Sequence, residues 1–370
     1  MTISLLEFVA YTIGLIHFAT PLCYYSYLRR FRNKPWALKI DYNFKPKIAV
    51  ILPTYNESEV IEKRLDNLRQ QDYPGELIKL IVVDSSNDNT ADLVEKSVRG
   101  DYSLELIREE KRAGKLEATL VALRQVSADV GAVVFTDADV VCEHDALTRA
   151  IAYLSDPSVG CVTSSMAYLD TREGQLQHTY RDYSNIVRLC ESKIHSTPIH
   201  NGQFMAIRSE PLRRVGLPTF TGCDDSMFGS LLGLAGYRAI QVDDIVVMES
   251  TRSQFKRMIR RAQTLLFNFL LTKRYAKNIG IYRTSRFDKV WKAEWWLHIV
   301  NPWFLVTSAI LVAIDIAFGS TLSLGIFIII LASLFSSTMR AWFLQQAYLI
   351  IAAVRSVFVR KVVWEKRSKA

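Results

Sequence analysis

No two of the chain's five cysteines (Cys23, Cys142, Cys161, Cys190 and Cys223) stand in a CxxC spacing. That argues against a cysteine zinc site and a disulfide framework, and it suits a reducing compartment. His178, His195, His200 and His298 lack metal-ligand spacing as well. No GxGxxG follows the first strand-like run, which argues against a nicotinamide-binding domain. At 49% hydrophobic residues the chain is too ordinary to be wholly embedded in a membrane. The net charge of +9 is local: residues 29–39 hold five basic groups and no acid, and the tail from Arg355 holds six against one. The rest is near neutral, so the excess reads as membrane-surface charge and no nucleic-acid partner is expected.

What is present is uneven. Residues 5–28, "LLEFVAYTIGLIHFATPLCYYSYL", match the ~20 residues of one bilayer crossing. Their basic flank follows the apolar core, the reverse of a cleaved signal peptide. We read an N-terminal anchor over 1–30; Glu7, His17 and Pro21 leave an amphipathic surface helix as the competing reading. Residues 295–318 and 321–338, parted by Gly319-Ser320, read as a transmembrane hairpin within 291–340. Residues 341–354, between Arg340 and Arg355, are short for a crossing and read as an interfacial helix, leading into a basic tail over 341–370. A further interfacial helix is expected in 264–290. Three crossings put both basic flanks on one side, which predicts a multi-pass cell-membrane protein with its middle region, 31–263, in the cytoplasm.

That middle region alternates. Strand-like runs cover 47–53, 77–84, 104–110, 131–139, 159–165, 203–209 and 238–248, with helix-like segments at 58–71, 90–98 and 116–126. Near-continuous apolar strands alternating with helices predict an α/β domain with a mostly parallel sheet. Ligands bind such sheets at the carboxyl ends of the strands. There the chain carries "PTYNES", "DSSNDNT" and "TDAD".

The stretch "VVFTDADVV" is the most telling. Asp137 and Asp139 are two apart, so in an extended segment they point to one side, roughly 6.6 Å apart. Two such carboxylates repel unless a cation lies between them. Oxygen ligands alone select Mg²⁺ or Mn²⁺. A divalent ion with few protein ligands keeps positions open for phosphate oxygens, which points to a nucleoside diphosphate ligand.

"ILPTYNE" (51–57), "IVVDSSNDNT" (81–90), "AGKLEA" (113–118), "FTDAD" (135–139), "HNGQFMAIRSEPL" (200–212) and "GCDDSMFGSLLGLAGYR" (222–238) resemble, in order, the motifs of family 2 inverting glycosyltransferases. The resemblance covers about residues 45–265. It implies a GT-A fold, the Rossmann-like nucleotide-diphosphosugar transferase domain, here with transmembrane and interfacial helices. The arrangement resembles a reduced cellulose synthase or hyaluronan synthase.

By that resemblance Pro53, Tyr55 and Glu57 line the base pocket, and Asp84 contacts the nucleoside, with Asp88 a second acid of its loop. The family pattern reads Asp-Asp or Asp-Asp-Gly where this chain has Asp84-Ser85-Ser86. Lys115 approaches the donor, and Asp137 and Asp139 hold the metal. The family's Thr-Glu-Asp is here Cys223-Asp224-Asp225, which makes Asp225 the catalytic base; its alternative role is to cap the following helix. Gln254 and Arg257 match the Gln-x-x-Arg-Trp motif, Arg257 as a diphosphate contact, and Met258 replaces the tryptophan. Arg260 and Arg261 face either the diphosphate or lipid headgroups. Asp224, His200 and Met258 are candidate acceptor contacts.

The resulting expectation is a hexosyltransferase. It moves mannose or glucose from a GDP- or UDP-sugar, with Mn²⁺ or Mg²⁺, to a lipid-linked saccharide or polyprenyl phosphate. One or few sugars are added, because methionine grips a sugar face less well than tryptophan. The alternatives are a processive polysaccharide synthase and a catalytically inactive, membrane-tethered nucleotide-sugar sensor.

Overall fold

The computed structural model describes residues 4–97, 102–168, 175–216, 225–249 and 255–358. Eight strands form one mixed sheet: β1 (Ile48–Thr54), β2 (Ile78–Asp84), β3 (Ser103–Arg108), β4 (Ala132–Thr136), β5 (Val140–Cys142), β6 (Val159–Tyr168), β7 (Phe204–Arg208) and β8 (Arg238–Glu249). The spatial order is β3-β2-β1-β4-β7-β6-β8-β5. The first four strands of that order are mutually parallel. β7 runs antiparallel to both β4 and β6, and β5 antiparallel to β8, while β6 and β8 are parallel. The fold is thus GT-A, with its parallel half at the end where the polar strand termini gather.

Strand period explains the two-sided core. Ile48, Val50 and Leu52 of β1, with Leu80, Val82 and Val134, pack on one face against Ile61 and Leu65 of the helix Ile61–Arg69. Ala49, Ile51, Ile81, Val83, Val133 and Phe135 pack on the other, against the helices Lys115–Arg124 and Asp225–Leu234. Burial on both faces is why these strands are apolar without alternation.

Three helices are long and apolar enough to cross a membrane: Leu5–Arg29, Phe287–Ala317 and Ser337–Phe358. The third differs from the sequence expectation. Thr321–Ser333 has only 13 residues, about 20 Å of helix, against a hydrocarbon thickness of about 30 Å. Ser337–Phe358 has 22 residues and runs through both arginines that made 341–354 look short. Long basic side chains can reach the headgroups from within such a helix.

The polar residues of the N-terminal helix have partners on the other apolar helices. Ser320 Oγ donates to Glu7, and Tyr11 Oη lies 2.8 Å from Ser323 Oγ. Trp342 Nε1 donates to His17 Nε2 at 3.2 Å, so the ring proton is on Nδ1, which donates to Asn301 O at 2.9 Å. A Cβ on Gly14 would stand 2.7 Å from Ser308 Oγ, so glycine permits this close helix pair. These bonds tie the N-terminal helix to the other apolar helices, so it packs as part of a helix group.

The expected interfacial segment, 264–290, and the helix Phe255–Phe267 that leads into it pack against neighbours on both sides. Ile259, Ala262 and Leu266 of Phe255–Phe267 pack on Tyr348, Leu349 and Ala352 of Ser337–Phe358. Phe269, in the π-helical turn that follows, packs edge-on to Trp291, and Asn268 Nδ2 donates to Pro198 O at 2.9 Å. The chain therefore joins the α/β domain to the apolar helices through packed contacts on both sides.

Candidate active site

The carboxyl ends of β1, β2, β3 and β4 define one edge. Thr54 ends β1 level with Asp84, and Asp84 ends β2 level with Arg108. Asp84 is 3% exposed, and its carboxylate accepts three hydrogen bonds. Thr54 Oγ1 and Ser86 Oγ both donate to Oδ1 at 2.6 Å, and the Ser86 N–H donates to Oδ2 at 3.1 Å. Ser86, where the family pattern differs, also accepts the Asn56 N–H at 2.7 Å. The Asn87 N–H donates back to Asn56 Oδ1 at 3.1 Å, and the Glu57 N–H donates to Thr90 Oγ1 at 2.9 Å. The first two loops are thereby stitched together. Asn56 holds φ at +55°, a conformation asparagine adopts more readily than other side chains. Asp88 accepts from Thr90 N and Oγ1; burial opposes its charge, but these bonds and those from Ser58 hold its carboxyl below the usual range.

Pro53, Tyr55 and Glu57 are all half-buried along this edge. Arg112, from the loop after β3, lays its guanidinium 3.7 Å from the Tyr55 ring centre. Glu109 directly follows β3, and its N–H donates to Asp84 O at 2.8 Å. Glu109 Oε2 is buried and has no hydrogen-bond partner among the described residues. Burial first, then Glu117 and Asp84, raise this carboxyl above its ordinary value.

Next along the sheet, β4 delivers the Asp-x-Asp. Ala138 is buried while Asp137 and Asp139 on either side are half-exposed; the extended pairing expected of 131–139 is not kept, because β4 ends at Thr136 and the chain turns at 138–139, so the two carboxylates sit in the turn just past the strand. Lys115 Nζ lies 2.8 Å from Asp137 Oδ1, with each side chain 20% exposed. Gly114, at φ +108°, turns the chain into the helix that Lys115 begins, a backbone that side chains rarely adopt.

The helix Ile61–Arg69 clamps both ends of this loop. Arg64, 2% exposed, donates from Nη2 to Thr136 Oγ1 at 2.6 Å. Asn67 Nδ2 donates to Cys142 O at 2.8 Å, and Asn67 Oδ1 accepts the Cys142 N–H at 3.0 Å. Asn67→Ala removes both bonds and leaves backbone groups buried. We expect a loss of roughly 2 kcal/mol, read as a melting temperature lower by several degrees. A higher Mn²⁺ concentration for half-maximal activity should accompany it; a loss of stability alone would leave Asn67 without a role in holding the loop.

A cation fits these residues. Among the described residues no three His, Cys, Asp or Glu side chains converge into a closed metal cage. Two carboxylates two residues apart in one turn, with an ammonium already drawn to one of them, suit an ion completed by ligand oxygens and water. Asp139 and Asp137 would hold it.

The remaining expected residues divide. Asp225 opens the helix Asp225–Leu234, three residues before Phe228, whose ring stacks on Phe135 of β4 at 5.8 Å. Residues three apart share a helix face, so position 225 lies on the side facing β4. The Asp225 side chain, Asp224 and Gln254 lie outside the described residues. Arg257 and Met258 are half-buried on Phe255–Phe267, and Met258 packs beside the cluster formed with Ser337–Phe358. Arg260 is pushed down to about 10 by burial and by Arg257, Arg261 and Arg112, so four guanidiniums gather here. Such a cluster favours anionic ligands.

His200 is 6% exposed and lies against the helix that Asp225 begins. A Cβ on Gly229 would stand 2.2 Å from its ring, and the His200 N–H donates to Ser226 Oγ at 3.2 Å. Burial, then Arg188, pushes the ring down to about 3. His195 is pushed down to about 4 by burial, Arg238 and Arg286. Between the ordinary 6.5 and these values the unfolded chain binds protons that the folded chain does not, so stability falls as pH falls. The slope is at most about 1.4 kcal/mol per pH unit for His200. His200→Gln should flatten the acid limb of the melting temperature between pH 6.5 and 4; an unchanged limb would contradict a buried neutral ring.

Sequence reasoning missed Thr54, Arg64, Asn67 and Glu109. Thr54 was readable as the residue ending the first strand. Arg64 and Asn67 face the core side of a helix whose pattern looks ordinary, and only the fold brings them to the loop.

Residues 49–216 match the profile of Glycosyl transferase family 2. An N-acetylglucosaminyltransferase of Bradyrhizobium elkanii is 30% identical over 131 residues, covering 35% of this chain and 70% of that protein. A glycosyltransferase of Haloferax volcanii, AglE, is 28% identical over 142 residues, which are 38% of this chain and 46% of that one, less than half its length. Among solved structures, the mannosyltransferase PcManGT from Pyrobaculum calidifontis, in complex with GDP-Man and Mn²⁺, is similar over 96% of this chain and 99% of its own. The TM-score is 0.85 at 36% identity.

Proposed function

Since this chain belongs to glycosyltransferase family 2, we propose that it transfers mannose from GDP-mannose to a lipid-linked saccharide at the cytoplasmic membrane face, adding one or few sugars. The carrying observation is the gathering of Asp84, Lys115, Asp137 and Asp139 at one sheet edge, with the first turn of the helix Asp225–Leu234 packed on β4 through Phe228 and Phe135. Likeness over nearly the whole chain to a mannosyltransferase solved with GDP-Man supports the donor. The three long apolar helices support the membrane and the lipid-linked acceptor.

The chemistry follows from direct displacement. The acceptor hydroxyl oxygen bonds to the anomeric carbon as the bond from that carbon to the diphosphate breaks. Asp225 takes the hydroxyl proton, GDP leaves, and the configuration inverts. Lys115 and the arginines at 112, 257 and 260 face the negative charge on the departing diphosphate. A divalent ion held by Asp139 and Asp137, when bound, supplies Lewis-acid stabilisation of that leaving group. Met258 in place of an aromatic platform supports short products.

The test is a panel of nucleotide sugars given to the purified full chain with Mn²⁺ and membrane lipid extract. Label from GDP-mannose should enter the organic phase as a short product. Transfer from another donor in preference would overturn the mannose reading, and long polymer would overturn the limit on product length.

A further inference from the structure

We propose that Glu109 reads the base of the donor, accepting hydrogen bonds from the N1–H and 2-amino group of guanine and thereby selecting GDP-sugars over UDP-sugars. This rests on the sugar-nucleotide site described above and names the residue that sets its base specificity.

Glu109 stands one residue past β3, on the edge that carries Asp84, and its backbone is bonded to that of Asp84. Asp84 is the less available reader of a base edge, because Thr54 and Ser86 already donate three hydrogen bonds to its two oxygens and leave one acceptor site on Oδ2. Glu109 differs: its Oε2 is buried with no partner among the described residues. A buried acceptor left unmade is costly, and its persistence beside a ligand site points to a donor supplied by the ligand. The groups felt by Glu109 are the carboxylates of Glu117 and Asp84, and both oppose its charge. Arg112, the nearby cation of the same loop, lies over the Tyr55 ring.

The pocket thus carries excess acceptor capacity, and the base must bring donors. Guanine presents two N–H groups side by side, which match the two oxygens of one carboxylate. Uracil presents one N–H between two carbonyl oxygens, and these face a carboxylate unfavourably. A site built to bond N–H groups rejects analogues that lack them more strongly than a hydrophobic pocket rejects a change of size.

The experiment is calorimetric titration of the full-length protein, with Mn²⁺, against GDP, inosine diphosphate and UDP. Inosine diphosphate lacks only the 2-amino group. Wild type should bind GDP at least about 10-fold more tightly than inosine diphosphate, the range for one hydrogen bond to a charged group. Glu109→Ala should weaken GDP by about 10- to 100-fold, bring GDP and inosine diphosphate within about twofold, and bind UDP more tightly than wild type as the repulsion on its carbonyl oxygens is removed. Glu109→Gln, nearly isosteric, should weaken GDP in the same direction with an unchanged melting temperature. A GDP preference over inosine diphosphate that survives in Glu109→Ala would overturn the proposal, as would an equal loss for all three nucleotides. A wild-type preference for UDP would overturn it while leaving a sugar-nucleotide transferase standing. Failure of wild type to bind any of the three would overturn both.

Discussion

Asp225→Asn is expected to lower transfer by about 10³-fold, within the range for removing a general base, while GDP binding stays within about twofold of wild type. The two readouts separate the roles open to this residue. As a cap it would stabilise Asp225–Leu234, so the substitution would cost little, because asparagine caps as well as aspartate. As the base it must accept a proton, which an amide cannot do. Retained activity in Asp225→Asn would return the residue to capping and leave Asp224 as the candidate. The helix itself is firmly seated: Phe228 on Phe135, Ser226 on the His200 backbone and Ser230 Oγ on Pro198 O at 3.0 Å. The substitution should therefore leave the melting temperature unchanged.

Asp139→Asn should be nearly as damaging, by about 10²- to 10³-fold, the range for losing one preorganised contributor to charge stabilisation. Its signature is different. GDP should still bind without metal, but the gain in affinity on adding Mn²⁺ should disappear. Asp137→Asn should do the same and also release Lys115, whose ammonium is held 2.8 Å from that carboxylate. Donor binding should then weaken further than in Asp139→Asn. Activity that stays Mn²⁺-dependent in both variants, with an unchanged half-saturating concentration, would mean that other groups hold the ion.

Most of the parallel half of the sheet was legible. Runs at 47–53 and 77–84 became β1 and β2 within a residue, because buried parallel strands are apolar throughout and end abruptly at polar loops. The Asp-x-Asp was legible for the same reason: Thr136 closes β4 and the polarity changes at once. The run at 131–139 concealed a break, since β4 stops at Thr136 and Val140–Cys142 forms a separate strand on the far side of the sheet. Nothing local marks that separation; β5 is there because Val140–Cys142 pairs with Val247–Glu249. The antiparallel insertion of β7 was equally hidden, as it depends on long-range pairing with β4. The extent of the last apolar helix was obscured by Arg340 and Arg355, which break a hydropathy run without breaking a helix. Glu109 was invisible because one more glutamate after a strand carries no pattern; its meaning comes from the partner it lacks.

The end of the N-terminal helix is built into the catalytic domain. Leu28 is fully buried with Val187 and Cys190 of the helix Gln175–Ile194, and Tyr24 Oη donates to Glu191 at 2.6 Å. Glu191 also accepts from Thr197 at 2.8 Å, three residues before His200. A domain attached in this way cannot swing on a leash. On the membrane reading proposed above, its reaction centre would ride at a set height and tilt above the lipid, so the bilayer would act as a measuring stick. A lipid-linked acceptor, as proposed, would then be chosen partly by how far its terminal sugar projects from the membrane, and each added sugar would carry the product's end away from the depth at which the enzyme works.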